Sequence, residues 1–146
     1  MALVRKTKGL RKPLRKPKAK TKGYYVKKLD GVFSQYIRQK YSDHFGLVPC
    51  YTCHIKKHYK DMQNGHYISR GHMATRWSEE NCRVQCVGCN VFKNGNYVEY
   101  SARLIDEIGL EKYKELVKKK YTIKQFSIKE LQELIKKYDD LTRPTY

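Results

Sequence analysis

Cys50-Tyr51-Thr52-Cys53 opens the stretch that decides how this chain folds, and Cys86-Val87-Gly88-Cys89-Asn90 closes it, with Asn64-Gly65-His66-Tyr67 between them. A thiolate is a soft donor, and zinc takes a tetrahedral shell of sulfur and nitrogen. Two residues between the members of a pair let one tight turn aim both sulfurs at one ion, and two such turns complete the tetrahedron. Residues 54–85 separate the pairs, a span of 32 residues. That is long for a simple zinc ribbon and roomy enough for a strand pair. Cys50, Cys53, Cys86 and Cys89 are therefore read as the shell of a structural Zn²⁺. Binding would supply about 10–16 kcal/mol toward folding, as in small zinc domains. Redox dithiols are the alternative, but no thioredoxin-like βαβ pattern accompanies them. Cys82, the fifth cysteine, reads as a small apolar core residue. His54 and His58 read as surface groups.

The chain around this stretch is short and basic. At 146 residues it holds one domain plus tails. Lys and Arg number 32 against 14 acids, a formal charge of +18. Nucleic acid is the leading partner for such a charge, because each neutralised phosphate releases condensed counterions. An anionic membrane surface competes, but no run approaches 18 apolar residues and the N-terminus has no signal-peptide core. An intracellular, cytoplasmic protein is expected. Residues 1–22 carry ten basic residues, no acid, and two prolines. Such a stretch cannot bury enough apolar surface to offset its ordering entropy. A disordered basic arm is expected, with Arg5, Lys6, Arg11, Lys12, Arg15 and Lys16 available to DNA; a solubilising or localisation tail fits equally. Residues 23–146 form the single domain, its core at 50–96 and its C-terminal helices at 97–141.

Periodicity places helices on both sides. Leu29, Val32, Phe33, Tyr36, Ile37 and Tyr41 predict a helix over 30–42, with Asp30 as its cap. Short strands are expected near Gly65–Ser69 and Arg83–Gln85, with loop at 78–81. Past Asn90 the pattern is helical: one face through Tyr97, Tyr100, Leu104, Ile105 and Ile108, stopped at Gly109, then a second short helix from Leu110. Ser127 and Glu130 make a capping box for the last helix, with Phe126 and Leu131 placed as its staple. The fold class is α+β and mostly helical.

Phosphodiester hydrolysis needs an activated water, a cation on the developing charge and fixed geometry. A histidine takes a proton near neutral pH, and an amide or carboxylate oxygen holds Mg²⁺ with positions left open. His66 and Asn90 are of the right types. They become neighbours if residue 66 ends a strand and Asn90 starts a helix behind the second cysteine pair. A lone histidine in a small zinc domain is more often structural, and that alternative stays open on spacing alone. Arg70, Arg76 and Lys93 are placed in sequence to hold phosphates. Trp77 and some of the 13 tyrosines could stack on unpaired bases.

The run Cys50-x-x-Cys53, Gly65-His66-Tyr67, Asn81, Cys86-x-x-Cys89-Asn90, Gly95-Asn96-x-Val98-x-Tyr100 resembles the NinG (Rap) recombination proteins of lambda-like phages. The likeness continues through Leu104-Ile105-x-x-Ile108-Gly109 to Tyr121-Thr122-Ile123, over residues 33–141. The resemblance implies an HNH, or ββα-metal, nuclease, and at the cysteine-pair-plus-asparagine level it is similar to phage resolvases of the endonuclease VII type. It implies a phage-encoded, structure-specific endonuclease on branched recombination DNA such as Holliday junctions or D-loops, leaving 5′-phosphate ends. By position His66 would be the general base, Asn81 the brace of the loop and of the histidine backbone, and Asn90 a ligand of catalytic Mg²⁺ or Mn²⁺. Two departures stand out. Gly65 occupies a place where many such sites carry Asp or His, so Gln63 or Asp61, on the same strand face, would have to supply a ligand. The usual second helix ligand, four residues after the first, is Asn94. A homodimer would suit symmetric junction cutting, and phage recombination proteins are further candidate partners. The competing readings are a non-catalytic zinc-containing DNA-binding module and an HNH nuclease acting on ordinary duplex.

Overall fold

A computed structural model describes residues 18–142. The first helix, α1 (Lys22–Lys40), starts well before the expected 30–42. Thr21 caps it, its hydroxyl accepting from the Tyr24 N–H at 3.4 Å. Asp30-Gly31 reads as a helix start in sequence, yet both lie mid-helix. The two extra turns hold because Tyr25 and Val26 reach the core, and Gln132 donates to the Tyr25 hydroxyl at 3.2 Å. The helix thus begins inside the stretch assigned to the basic arm. Arg5, Lys6, Arg11, Lys12, Arg15 and Lys16 lie outside the described residues.

Leu29, Phe33 and Ile37 recur every four residues and are fully buried. Each contributes about 1.5–3 kcal/mol by leaving water. Their stripe packs along the last helix, α4 (Ile128–Leu141), against Leu131, Ile135 and Tyr138. The Ser127–Glu130 capping box is present. Phe126 meets the Trp77 ring edge-on, centroids 5.2 Å apart.

Two antiparallel pairs lie in the other layer. Strands β1 (Leu47–Pro49) and β2 (Lys56–His58) flank the first cysteine turn. Strand β3 (Gln63–His66) pairs with β4 (Cys82–Gln85), with Gln63 opposite Gln85, Gly65 opposite Arg83 and His66 opposite Cys82. The first of these strands begins two residues before the expected Gly65. All four β4 residues are buried, Cys82 completely. Residues 78–81 tighten into a short 3₁₀ turn, Glu79–Asn81.

Behind the second cysteine pair the chain makes only a five-residue π-helical turn, Gly88–Phe92. Asn94, Gly95 and Asn96 then take φ of +49°, +89° and +50°. Gly and Asn are the residues that enter this left-handed region most readily, and here three in a row stop the turn. Helix α2 (Tyr97–Ile108) starts afresh, and Gly109 (φ +84°) separates it from α3 (Leu110–Lys119). Tyr100, Leu104, Leu116 and Ile68 form a second, smaller core.

The result is a mixed helix-and-sheet fold, as expected. Buried Arg83 joins its parts: it forms a two-pronged pair with Glu107 (3.1 and 2.9 Å), and Tyr51 donates to the same carboxylate at 2.6 Å. The contact ties β4 to α2 and to the first cysteine turn. No described helix is long and apolar enough to cross a membrane.

Candidate metal centre and cleft

The β1–β2 turn carries Cys50 and Cys53, and the end of β4 runs into Cys86 and Cys89. All four sulfurs lie within 4.8 Å of one another. Cys53 and Cys86 sulfurs are 3.7 Å apart. Zinc–sulfur bonds of about 2.3 Å in a tetrahedron place sulfurs about 3.8 Å apart. One backbone and one side-chain donor complete the fit. The Cys86 N–H points at the Cys50 sulfur at 3.3 Å, and the Asn96 amide lies 3.8 Å from the Cys89 sulfur. Burial works against a Cys50 thiolate, but the N–H groups of Cys86, Cys53 and Thr52 outweigh it and bring the thiol down to about 6. The donor set fits a metal such as zinc. It ties the first hairpin to the strand and turn that carry Asn90.

Beside this centre a cleft of about 780 Å³ opens between α1, β3 and the turn after β4. His66, Asn90, Gln63, Asn94 and Arg70 all line it. His66 hydrogen-bonds through Nε2 to the Arg76 carbonyl at 2.9 Å. A carbonyl only accepts, so Nε2 carries the proton and the neutral ring keeps its lone pair on Nδ1. Nδ1 has no hydrogen-bond partner among the described residues. Burial lowers the His66 pKa below its ordinary value, the Arg76 carbonyl opposes this, and the charge of Arg70 adds to the lowering. The ring is therefore neutral at pH 7.

Asn90 donates from Nδ2 to Gln63 Oε1 at 2.7 Å. Its own Oδ1 has no partner among the described residues. Gln63 thus stands next to Asn90, but its oxygen is already accepting a bond. Asn94 lies past the end of the helical turn, so the expected i, i+4 helical spacing from Asn90 does not form, although it reaches the same cleft. Asp61 is a correction. It sits exposed in a 3₁₀ turn (Tyr59–Asp61) before β3 begins, so strand alternation does not carry it to the face of residue 65, and it does not line the cleft.

Asn81 is completely buried and turned inward. Its Oδ1 accepts the Ile68 N–H at 2.7 Å, and Nδ2 donates to the carbonyls of Ile68 (2.9 Å) and Thr75 (3.0 Å). The Tyr67 N–H donates to the Asn81 carbonyl at 2.9 Å. Asn81 braces the loop and the backbone next to His66 and touches nothing in the cleft. Arg76 is committed to Asp30 through two bonds, at 2.9 and 2.6 Å. Lys93 is exposed and outside the cleft lining.

A family model for the bacteriophage lambda NinG protein matches residues 4–145. This chain belongs to the NinG family. Protein ninG of Escherichia phage 933W is 29% identical over 126 residues, covering 86% of this chain and 60% of that protein. Protein ninG of Escherichia phage lambda is 32% identical over 104 residues, 70% of this chain and 48% of its own. That of Salmonella phage P22 is 32% identical over 98 residues, 66% and 46%. The chain therefore spans about half to three-fifths of these relatives. No solved structure matches it. The relatives' names state no reaction, so the chemistry of this NinG-family chain rests on its geometry.

Four residues of that geometry carry little sequence signal. Arg38, on α1, lines the cleft with no carboxylate partner among the described residues, its guanidinium held by the carbonyls of Ser34 (3.2 Å) and Tyr59 (2.9 Å). Asn64 shares the His66 face of β3, and its Oδ1 is buried without a hydrogen-bond partner among the described residues. Gln85 is wholly buried, bonding Thr52 of the first cysteine turn at 3.1 Å and the Gly95 carbonyl at 2.9 Å. Asp30 reaches the cleft from α1. Arg38, Gln85 and Asp30 become visible only when their partners on other elements are known.

Proposed function

We propose that this chain is a metal-dependent endonuclease of the HNH (ββα-metal) type, with a structural Zn²⁺ on Cys50, Cys53, Cys86 and Cys89, that hydrolyses phosphodiesters in branched recombination DNA. The observation that carries the reading is His66. It is neutral and oriented, its Nδ1 is without a partner among the described residues, and it lines a cleft together with Arg38, Arg70 and Asn90. The antiparallel β3–β4 pair followed by a helical turn bearing Asn90 supports the ββα-metal comparison, though the turn is shorter than a full helix.

In the proposed reaction His66 Nδ1 takes a proton from water. The water oxygen bonds to phosphorus, the bond from phosphorus to the 3′ oxygen breaks, that oxygen takes a proton from solvent water, His66 returns its proton to solvent, and the products are a 3′-hydroxyl and a 5′-phosphate. Arg38 and Arg70 hold phosphate oxygens by charge and by their forked N–H groups. Asn90 Oδ1, without a partner among the described residues, is the candidate protein oxygen for a divalent ion, with Gln63, Asn64 and Asn94 lining the same cleft. Neutral amides alone hold Mg²⁺ weakly, so the fit depends on phosphate oxygens joining them. Mg²⁺ or Mn²⁺ bound there would stabilise charge developing on the phosphate. Preference for branched DNA comes from the family resemblance. Symmetric junction cutting would take two copies of the chain. The work would be done in the cytoplasm of the phage's bacterial host, beside its recombination proteins.

Purified chain, zinc-loaded, should cut a four-way junction faster than linear duplex of equal length when Mg²⁺ or Mn²⁺ is added. His66→Ala should keep zinc and junction binding and lose cleavage. Cleavage by His66→Ala at the wild-type rate removes the catalytic role. Equal rates on both substrates move the function to ordinary duplex, and binding without any cleavage leaves a DNA-binding module.

A further inference from the structure

The Asp30 carboxylate accepts three N–H groups: Arg76 Nε at 2.9 Å, Arg76 Nη2 at 2.6 Å and Trp77 Nε1 at 3.0 Å. Arg76 and Trp77 flank a single peptide unit. The carbonyl of that unit is the one that accepts from His66 Nε2. One carboxylate on α1 therefore pins both side chains on either side of the carbonyl that orients the histidine. Arg76 Nη1 also donates to the Arg70 carbonyl at 3.0 Å, so the loop carrying Arg70 is drawn into the same clamp. The Asp30–Arg76 ion pair is largely sheltered, with about a fifth of each side chain exposed. Burial raises the Asp30 carboxyl, but Arg76 and Trp77 more than offset this and hold it below its ordinary value.

We propose that Asp30 is the positioning residue of the His66 base, acting through the 76–77 peptide to keep the ring in its Nε2–H form with Nδ1 turned to the cleft. This rests on the proposed role of His66 as base. Without the clamp the peptide can rotate, its carbonyl leaves Nε2, and either ring nitrogen can carry the proton. Small misplacements of this kind cost large factors in rate, on the order of 10²-fold for about 1 Å.

The test is Asp30→Asn, with Asp30→Glu as the conservative variant, each checked for bound zinc. Asparagine keeps the size of the side chain but loses an acceptor and the charge. The primary readout is the ¹⁵N–¹H spectrum of the His66 ring, which needs neither DNA nor a catalytic ion. Wild type should show one tautomer, with the proton on Nε2. Asp30→Asn should show a mixture, and Asp30→Glu should restore the wild-type pattern at least in part. On junction DNA, Asp30→Asn should lower kcat 10- to 100-fold with KM within about twofold of wild type. A folded, zinc-loaded Asp30→Asn with an unchanged His66 tautomer overturns the proposal. If that variant does not fold, Trp77→Phe removes one of the three donors and keeps the ring against Phe126; an unchanged tautomer there overturns it equally. A wild-type chain that cuts nothing would sink the nuclease reading but leave the tautomer result standing.

Discussion

Gly65 precedes His66 directly, and replacing it with alanine should be costly for a reason set by its neighbour across the sheet. A Cβ built on Gly65 falls 2.2 Å from Gln85 Oε1, 2.8 Å from Cδ and 2.9 Å from Cγ. Gln85 has no exposed surface to retreat into, and its Nε2 is bonded to Thr52 and to the Gly95 carbonyl. Relief of the clash therefore takes both bonds, or parts β3 from β4 at the Gly65–Arg83 pair. Two buried hydrogen bonds at about 1–1.5 kcal/mol each, with overpacking of about 1–3 kcal/mol, give a loss of about 3–6 kcal/mol. The assay is urea unfolding followed by the fluorescence of Trp77, the single tryptophan, with zinc in excess. Gln85→Ala alone should cost about 1–3 kcal/mol, from the groups it leaves unpaired. In that background Gly65→Ala should add less than about 1 kcal/mol, because the obstructing atoms are gone. A Gly65→Ala loss below about 0.5 kcal/mol, or additive effects in the double variant, would refute the steric argument. The same contact accounts for the missing acid before His66: an aspartate there collides with Gln85 as alanine does.

Cleavage should depend on pH through His66. Its lowered pKa means that the base form persists below 6.5, so kcat/KM should be flat through neutrality and fall only in acid, with an inflection below about 6.5; an inflection above 7, with zinc still bound, would contradict this. Cys89→Ser should lose the metal and the burial of Trp77 together, whereas Cys82→Ala should keep one zinc per chain, since Cys82 is in the apolar core; metal analysis separates the two. Arg38→Gln should weaken DNA binding by the His66→Ala chain and reduce the salt slope by about 0.9 if one duplex phosphate is contacted. An unchanged slope would remove Arg38 from the interface.

Several features are legible without coordinates because their physics is local. The C-x-x-C pairs state their geometry within four residues each, and the four sulfurs do lie together. Ser127 and Glu130 satisfy one another across a single helical turn. Gly109 separates two helices through its own backbone preference. The α1 boundary is less legible: Asp30-Gly31 mimics a helix start, while the true start at Thr21 depends on Tyr25 and Val26 finding a core more than a hundred residues away. Alternation along a strand would put Asp61 on the face of residue 65, but the strand begins two residues after it, at Gln63. The consecutive positive φ values at Asn94, Gly95 and Asn96 break the helical spacing from Asn90 to Asn94 that the family resemblance implies.

Family membership, the four cysteines that could hold a metal and the mixed fold all follow from residue type and short spacing, which survive in a one-dimensional string. The arrangement of the cleft does not. Asp30 looks like a cap and is the anchor of a loop 46 residues away, and Arg76 looks like a phosphate ligand but is that anchor's counter-ion. Gln85 explains Gly65 only after the β3–β4 register brings them together. These assignments depend on which partner a charge or amide meets. That choice is made by the packing of α1 and β4 around the Cys50–Asn90 stretch, because a buried polar group takes its role from whatever satisfies it.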